Sequence, residues 1–168
     1  MNFYITYGTF DFLRQIQQQH QDRHMLIFSG DDQSIIIDET NQETRFQQPN
    51  SYRVLTSVGT IDEAHFQILI TIPTTEDHQY QLEKQLENYV PKVDQFEGFC
   101  SYRLLKPKNH NIYKVLLGFT SRPHYEDYKK SSAFRKYLSY EATKPLAGAS
   151  NVHANYLEKY FYPVTDEI

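Results

Sequence analysis

The sequence of 168 residues has one cysteine, no tryptophan and only six glycines. A single thiol, Cys100, excludes an internal disulfide framework and a cysteine-rich metal site, and makes a reducing cytosol the default setting. Lying in a strand-like run, that thiol is read as packed rather than nucleophilic. The scattered glycines form neither a P-loop nor a dinucleotide fingerprint. A basic excess is also lacking: 17 Lys and Arg face 21 Asp and Glu, net −4, which argues against a nucleic-acid partner. No apolar run approaches the roughly 20 residues that span a bilayer. The N-terminus, MNFYITYGTF, has neither the basic flank nor the continuous apolar core of a signal peptide. Any membrane association is therefore expected to be peripheral.

What is present is alternation. In HFQILITIPTTEDHQYQLEKQLENYV (65–90), Phe66, Ile68, Ile70 and Ile72 fall on one side of a strand, and His65, Gln67, Leu69 and Thr71 on the other. Pro73 ends the strand, Thr74 or Thr75 caps a helix, and Leu82, Leu86 and Tyr89 recur at helical spacing to lie back on the apolar face. FCSYRLLK and IYKVLLGFT then read as a hairpin. A helical stretch opens at Ser121–Arg122–Pro123, another is capped by Ser131 or Ser132, and HANYLEKYFY closes as a strand that begins at His153.

From residue 61 onward the order is β-α-β-β-α-β, the ferredoxin-like topology. Both helices then cover one sheet face. The other face stays open for a partner subunit, the N-terminal segment or a ligand. The first and last strands are expected on different sides of the third. RNA-recognition domains share this order, but IYKVLLGF lacks their aromatic motif. Residues 1–60 read as a small α+β layer. Asn2–Tyr7 is its first strand, a helix capped by Thr9 runs to about His20, and two strands flank GDDQ. Thr44–Gln47 is expected to be a further strand, and YRVLTSVG a short helix, with Tyr52, Leu55 and Val58 at helical spacing. The fold class is α+β in two segments, 1–60 and 61–168.

Seven histidines carry the chemical interest. Only His20 and His24 approach metal-ligand spacing, and they straddle a helix end and a strand start. No nucleophile elbow is present. Glu76, Asp77 and His78 share a helix's first turn. That grouping compensates the helix dipole, or it keeps an imidazole reversibly charged.

HFQILITIPTTEDHQYQLEKQL, GFCSYRLLKP, YKVLLGF, HYEDYKKSSAF and the closing H-x-x-Y-x-E-K-Y-x-Y-P, with the N-terminal YGT-x-x-FL and DETNQET stretches, resemble the TRAP (target of RNAIII-activating protein) family of signal transduction proteins. The resemblance covers essentially the whole chain. It implies a membrane-associated regulator on the cytoplasmic side, in a quorum-sensing, virulence-linked or stress-response pathway, phosphorylated on three histidines. The matching positions are His65, His78 and His153. A separate phosphodonor, such as a protein histidine kinase, is then required.

A more distant resemblance, over about 61–163, is to the dimeric ferredoxin-like fold of antibiotic-biosynthesis monooxygenases and IsdG-type haem-degrading enzymes. It implies a homodimer, and haem as the alternative cofactor. Those enzymes use an Asn, a Trp and a His ligand where this sequence has Ile70 or Thr71, Phe119 and Leu138. Without the axial imidazole no haem is expected to be held. The expectation is a non-enzymatic regulator without cofactor, the alternatives being a haem-binding relative and a structural dimerisation module.

Overall fold

In the computed structural model, which describes residues 1–89, 95–148 and 153–164, strand β1 (Asn2–Gly8) leads into helix α1 (Phe10–Gln19). The Phe12 N–H donates to Thr9 Oγ1 at 3.3 Å, the expected N-cap. Leu13 is fully buried, and Phe10 and Ile16 flank it against the sheet. Strands β2 (Met25–Gly30) and β3 (Ser34–Thr40) follow as the hairpin around GDDQ.

The next two expectations fail. Thr44–Gln47 form no strand, although Phe46 is buried against α1's side of the sheet. Asn50–Gly59 is not a helix but a ten-residue strand, β4. The helical spacing of Tyr52, Leu55 and Val58 arises from a β-bulge between Val54 and Thr56. The extra residue shifts the alternation by one. Tyr52 and Val54 therefore face one core, while Leu55 and Val58 pack on another.

In the second half, β5 (Phe66–Pro73) is followed by a 3-10 turn (Glu76–His78) and helix α2 (Gln79–Glu87). Strands β6 (Phe99–Pro107) and β7 (Ile112–Phe119) form the expected hairpin. Helices α3 (Arg122–Lys129), α4 (Ser132–Tyr137) and α5 (Tyr140–Thr143) precede β8 (Leu157–Pro163). Ser131 caps α4 by accepting from the Phe134 N–H. The end of the KPLAGASN loop and the polar tail lie outside the described residues.

The eight strands close into one antiparallel barrel in the order β1-β3-β2-β8-β5-β7-β6-β4, with β4 returning to β1. Each half reads 4-1-3-2 by its own strand numbering, the ferredoxin-like order. The halves are thus a tandem pair, and the N-terminal one has an irregular segment (43–49) in place of the second helix. They meet along two seams: seven register pairs join β4 to β6, and three join β2 to β8. The face expected to be open is filled by the chain's own first half. One corollary of the expected topology is also corrected: β8 pairs directly with β5, from Gln67↔Phe161 to Thr71↔Leu157.

Three cores result. Phe66, Ile68, Ile70 and Ile72 pack with Leu82, Leu86, Phe119, Tyr125 and Leu138 between the second half's strands and helices. Leu69, Leu105, Leu116 and Phe161 meet Phe3, Ile5, Phe28 and Ile37 inside the barrel. A smaller cluster around Leu13 and Phe46 lies under α1.

Candidate functional site

His78 ends the 3-10 turn and occupies the N-cap position of α2. Its Nδ1 is 2.9 Å from Thr75 Oγ1. With Nδ1–H donating to that hydroxyl, the lone pair rests on Nε2. The ring is half-buried, and Nε2, which has no hydrogen-bond partner among the described residues, is not enclosed. Thr74, the other candidate cap, instead donates to the Leu146 carbonyl at 2.6 Å. That bond brings the α5–β8 connection over the turn, where Gly148 (φ +82°) packs on Thr75 and His78; a Cβ there would lie 2.9 Å from Thr75 Oγ1. Glu76 and Asp77 are exposed at the same turn.

His65 lies in the bend just before β5, as expected. Its Nε2 faces Cys100 Sγ at 3.7 Å, and its Nδ1 is buried without a partner. The thiol also lies 3.3 Å from the Gly98 carbonyl. Burial first, and Asp62 second, push the thiol pKa up. Cys100 is thus kept protonated, consistent with a packing role.

His153 does not open β8. It sits in a helical turn four residues earlier, wholly buried. Its ring lies 4.3 Å from the Tyr140 ring and 5.4 Å from the Tyr156 ring, centroid to centroid. Nε2 is 2.8 Å from Thr143 Oγ1, and Nδ1 is buried without a partner. The strand assignment failed because aromatic packing, rather than alternation, decides this segment.

Burial and then Lys144 lower the His153 pKa, against a smaller opposing effect of Glu141. A histidine depressed in the fold contributes stability that is full above its ordinary value near 6.5 and is lost as pH falls. His110 is depressed in the same direction, by burial and Lys114. The thermal midpoint is therefore expected to fall as pH drops from about 7.5 to about 5.5. His153→Gln in a His110→Gln background is expected to make that fall shallower, as followed by circular dichroism.

The three histidines do not form one site. His78 and His153 lie toward the Pro73 end of β5, and His65 precedes its other end. The eight strand residues between them span about 25 Å.

A haem does not fit the interface between sheet and helices. Ile70, Phe119 and Leu138 are each fully buried there, among Tyr102, Tyr125, Tyr128 and Phe134. Side chains fill this space, and the phenol oxygens of Tyr89, Tyr102 and Tyr128 are buried in it without a hydrogen-bond partner among the described residues.

Sequence reading missed charged residues inside the barrel. The Arg103 guanidinium pairs with Glu39 at 2.6 and 3.2 Å, linking β6 to β3 across the interior. Lys114 points inward and donates to Thr71 Oγ1 at 2.7 Å. Both stand in strands whose other positions are mostly apolar, FCSYRLLKP and IYKVLLGF. A charge within such a run was the available signal.

The antibiotic biosynthesis monooxygenase family profile matches residues 66–140, most of the second half. The chain is 43% identical to a signal transduction protein TRAP from Staphylococcus epidermidis, over 99% of both chains. It is 42% identical to one from Staphylococcus aureus, over 97% of this chain and 98% of that one. The solved structure of a major regulator of staphylococcal pathogenesis superposes with a TM-score of 0.91 and 39% identity, over 98% of this chain and 100% of that one. A haem-degrading enzyme from Listeria monocytogenes shares the fold, with a TM-score of 0.68 and 21% identity over 97% and 100%. Full-length identity above 40% and the same barrel place the chain plainly: it belongs to the TRAP family of signal transduction proteins.

Proposed function

We propose that the chain is a non-enzymatic signalling regulator that carries phosphate on histidine, and that His78 is the residue that receives it. The observation that carries this reading is the unequal state of the three rings. His78 alone offers a ring nitrogen that is neither enclosed nor facing a partner, while His153 is buried and His65 is engaged with Cys100. In the proposed step the Nε2 lone pair attacks the donor's phosphorus, a P–N bond forms, and the donor's own bond to phosphorus breaks. Thr75 holds the Nδ1–H, which fixes the tautomer that reacts. Exposed Glu76 and Asp77 oppose the added negative charge, and the N-terminus of α2 favours it.

The donor is a separate protein histidine kinase or phosphohistidine carrier. The names of the relatives, a signal transduction protein and a regulator of pathogenesis, support a place in a virulence-linked pathway, with quorum sensing as its input. Peripheral membrane association belongs to the same proposal. Among the described residues no helix is long and apolar enough to cross a membrane.

The test is incubation with cell extract and ATP, followed by peptide mass spectrometry under alkaline handling, which preserves a phosphoramidate. Phosphate is expected on His78, lost in His78→Gln and reduced in Thr75→Val, while His65→Gln retains it. No phosphohistidine at all, or label that persists in His78→Gln, overturns the proposal. A saturable Soret shift on haem titration would instead favour a haem-binding relative.

A further inference from the structure

The barrel's interior wall carries two lysines near one mouth. Lys114 on β7 is the register partner of Thr71 on β5, and Lys159 on β8 is the register partner of Leu69. Leu69 and its neighbour Leu116 belong to the barrel core, so both lysines lie on the inner face of the wall. Lys114 is half-buried, its ammonium donating to the Thr71 hydroxyl, while Lys159 is exposed at the mouth. Among the described residues neither lysine is in an ion pair; the pairs formed by the other cations are made elsewhere. His110 stands close enough for Lys114's charge to oppose its protonation, and its ring meets Tyr52 edge-on at 6.2 Å.

Beside this wall is a cavity of about 320 Å³, lined by Tyr7, the Gly30–Gln33 turn and residues Leu157–Phe161; Lys159 is in its lining, and Lys114 stands on the wall next to it rather than in the lining. Asp31 and Asp32 line it as well, and both are exposed to solvent. Glu158 also borders it, but that carboxylate is committed to Tyr125 and, at 2.6 Å, to Lys129.

A half-buried ammonium next to a second cation and without a carboxylate is an uncompensated charge, and a small anion is its natural complement. We propose that this barrel mouth is a binding site for a small anion, a phosphate monoester or a carboxylate, held by the ammonium groups of Lys114 and Lys159. The site lies at one mouth of the barrel, on the sheet face opposite the sheet–helix interface. Burial, and then Lys159, lower the Lys114 pKa to about 8. At neutral pH its free-amine fraction is on the order of a hundredfold larger than that of an ordinary lysine. The site thus announces itself to an aldehyde that bears a phosphate.

The probe is pyridoxal 5′-phosphate at substoichiometric amounts, reduced with borohydride and mapped by peptide mass spectrometry on the full chain. In the reaction the amine adds to the aldehyde, water leaves, and hydride reduces the imine to a stable secondary amine. Labelling of Lys114 or Lys159 is expected to exceed that of exposed lysines such as Lys84 about tenfold, and to be suppressed by inorganic phosphate or by citrate. Protection by phosphate alone identifies the phosphate source, and protection by citrate alone the carboxylate source. Labelling spread evenly over the surface, or protected by neither anion, overturns the proposal.

Lys114→Met supplies the second reading. If Lys114 served only to anchor Thr71, the variant would lose stability. As one half of an anion site, its removal relieves charge, so the variant is expected to keep or raise its melting temperature in anion-free buffer. It is also expected to lose the phosphate-induced increase seen in the parent chain, and an increase retained in Lys114→Met counts against the site.

Discussion

Arg103→Ala is expected to lower the free energy of unfolding by about 3 kcal/mol, the lower end of the range for breaking a buried ion pair. The side chain is 5% exposed, and its guanidinium satisfies four acceptors: both Glu39 oxygens and the carbonyls of Val58 and Tyr102. Truncation leaves those carbonyls and a carboxylate without their donor. Glu39 is 26% exposed, so water recovers part of its solvation, which holds the cost toward the smaller figure. Glu39 belongs to the first half and Arg103 to the second, and the two strands are not hydrogen-bonded neighbours. The pair therefore ties the halves together across the interior rather than along a seam. Urea unfolding of Arg103→Ala, Glu39→Ala and the double variant forms a cycle. A coupling energy below about 0.5 kcal/mol would show that the pair does not hold the halves together.

Phe119→Ala is expected to cost about 3–5 kcal/mol, the range for emptying a buried aromatic site. The ring is fully buried and lies edge-on to Phe99 and Tyr125, both at 5.6 Å, and 5.2 Å from Tyr128. The strand partners Phe66 and Phe99 flank it in register. Phe12→Ala is the matched control: that ring is 52% exposed on α1, and its loss is expected to stay within about 0.5 kcal/mol. Equal losses in the two variants would mean that the aromatic cluster is not what fastens the helices to the sheet. The void in Phe119→Ala is bordered by the rings of Phe99, Tyr125 and Tyr128, and the variant is expected to show no Soret shift with haem.

Where one periodicity ruled a segment, the sequence was readable. Thr9 capped its helix, the alternation of Phe66 to Ile72 chose the buried face, and Leu82 and Leu86 met that face as their spacing required. The errors have physical causes of the same scale. One bulged residue in β4 reset a two-residue period into something that mimicked a helix. Reading 51–58 as helix then removed the fourth strand from the first half and hid the tandem architecture. The misplacement of β8 relative to β5 came from topology rather than from residues.

At the site, the identities of the histidines were visible but their environments were not. Nothing local to His153 announces that Tyr140 and Tyr156 enclose it, or that Thr143 takes its Nε2. Likewise, only the register reveals that Lys114 shares the inner wall with Lys159.

Joining both halves of the barrel in one polypeptide has a consequence for what each half is free to become. In an assembly of two identical chains, every substitution appears twice, and a change that suits one side of the axis burdens the other. Here each substitution appears once. One half has an irregular segment (43–49) where the other has its second helical region, and that other half carries an aromatic packing under its helices. All three histidines of the family pattern lie on the second half, an asymmetry that a symmetric pair could not carry.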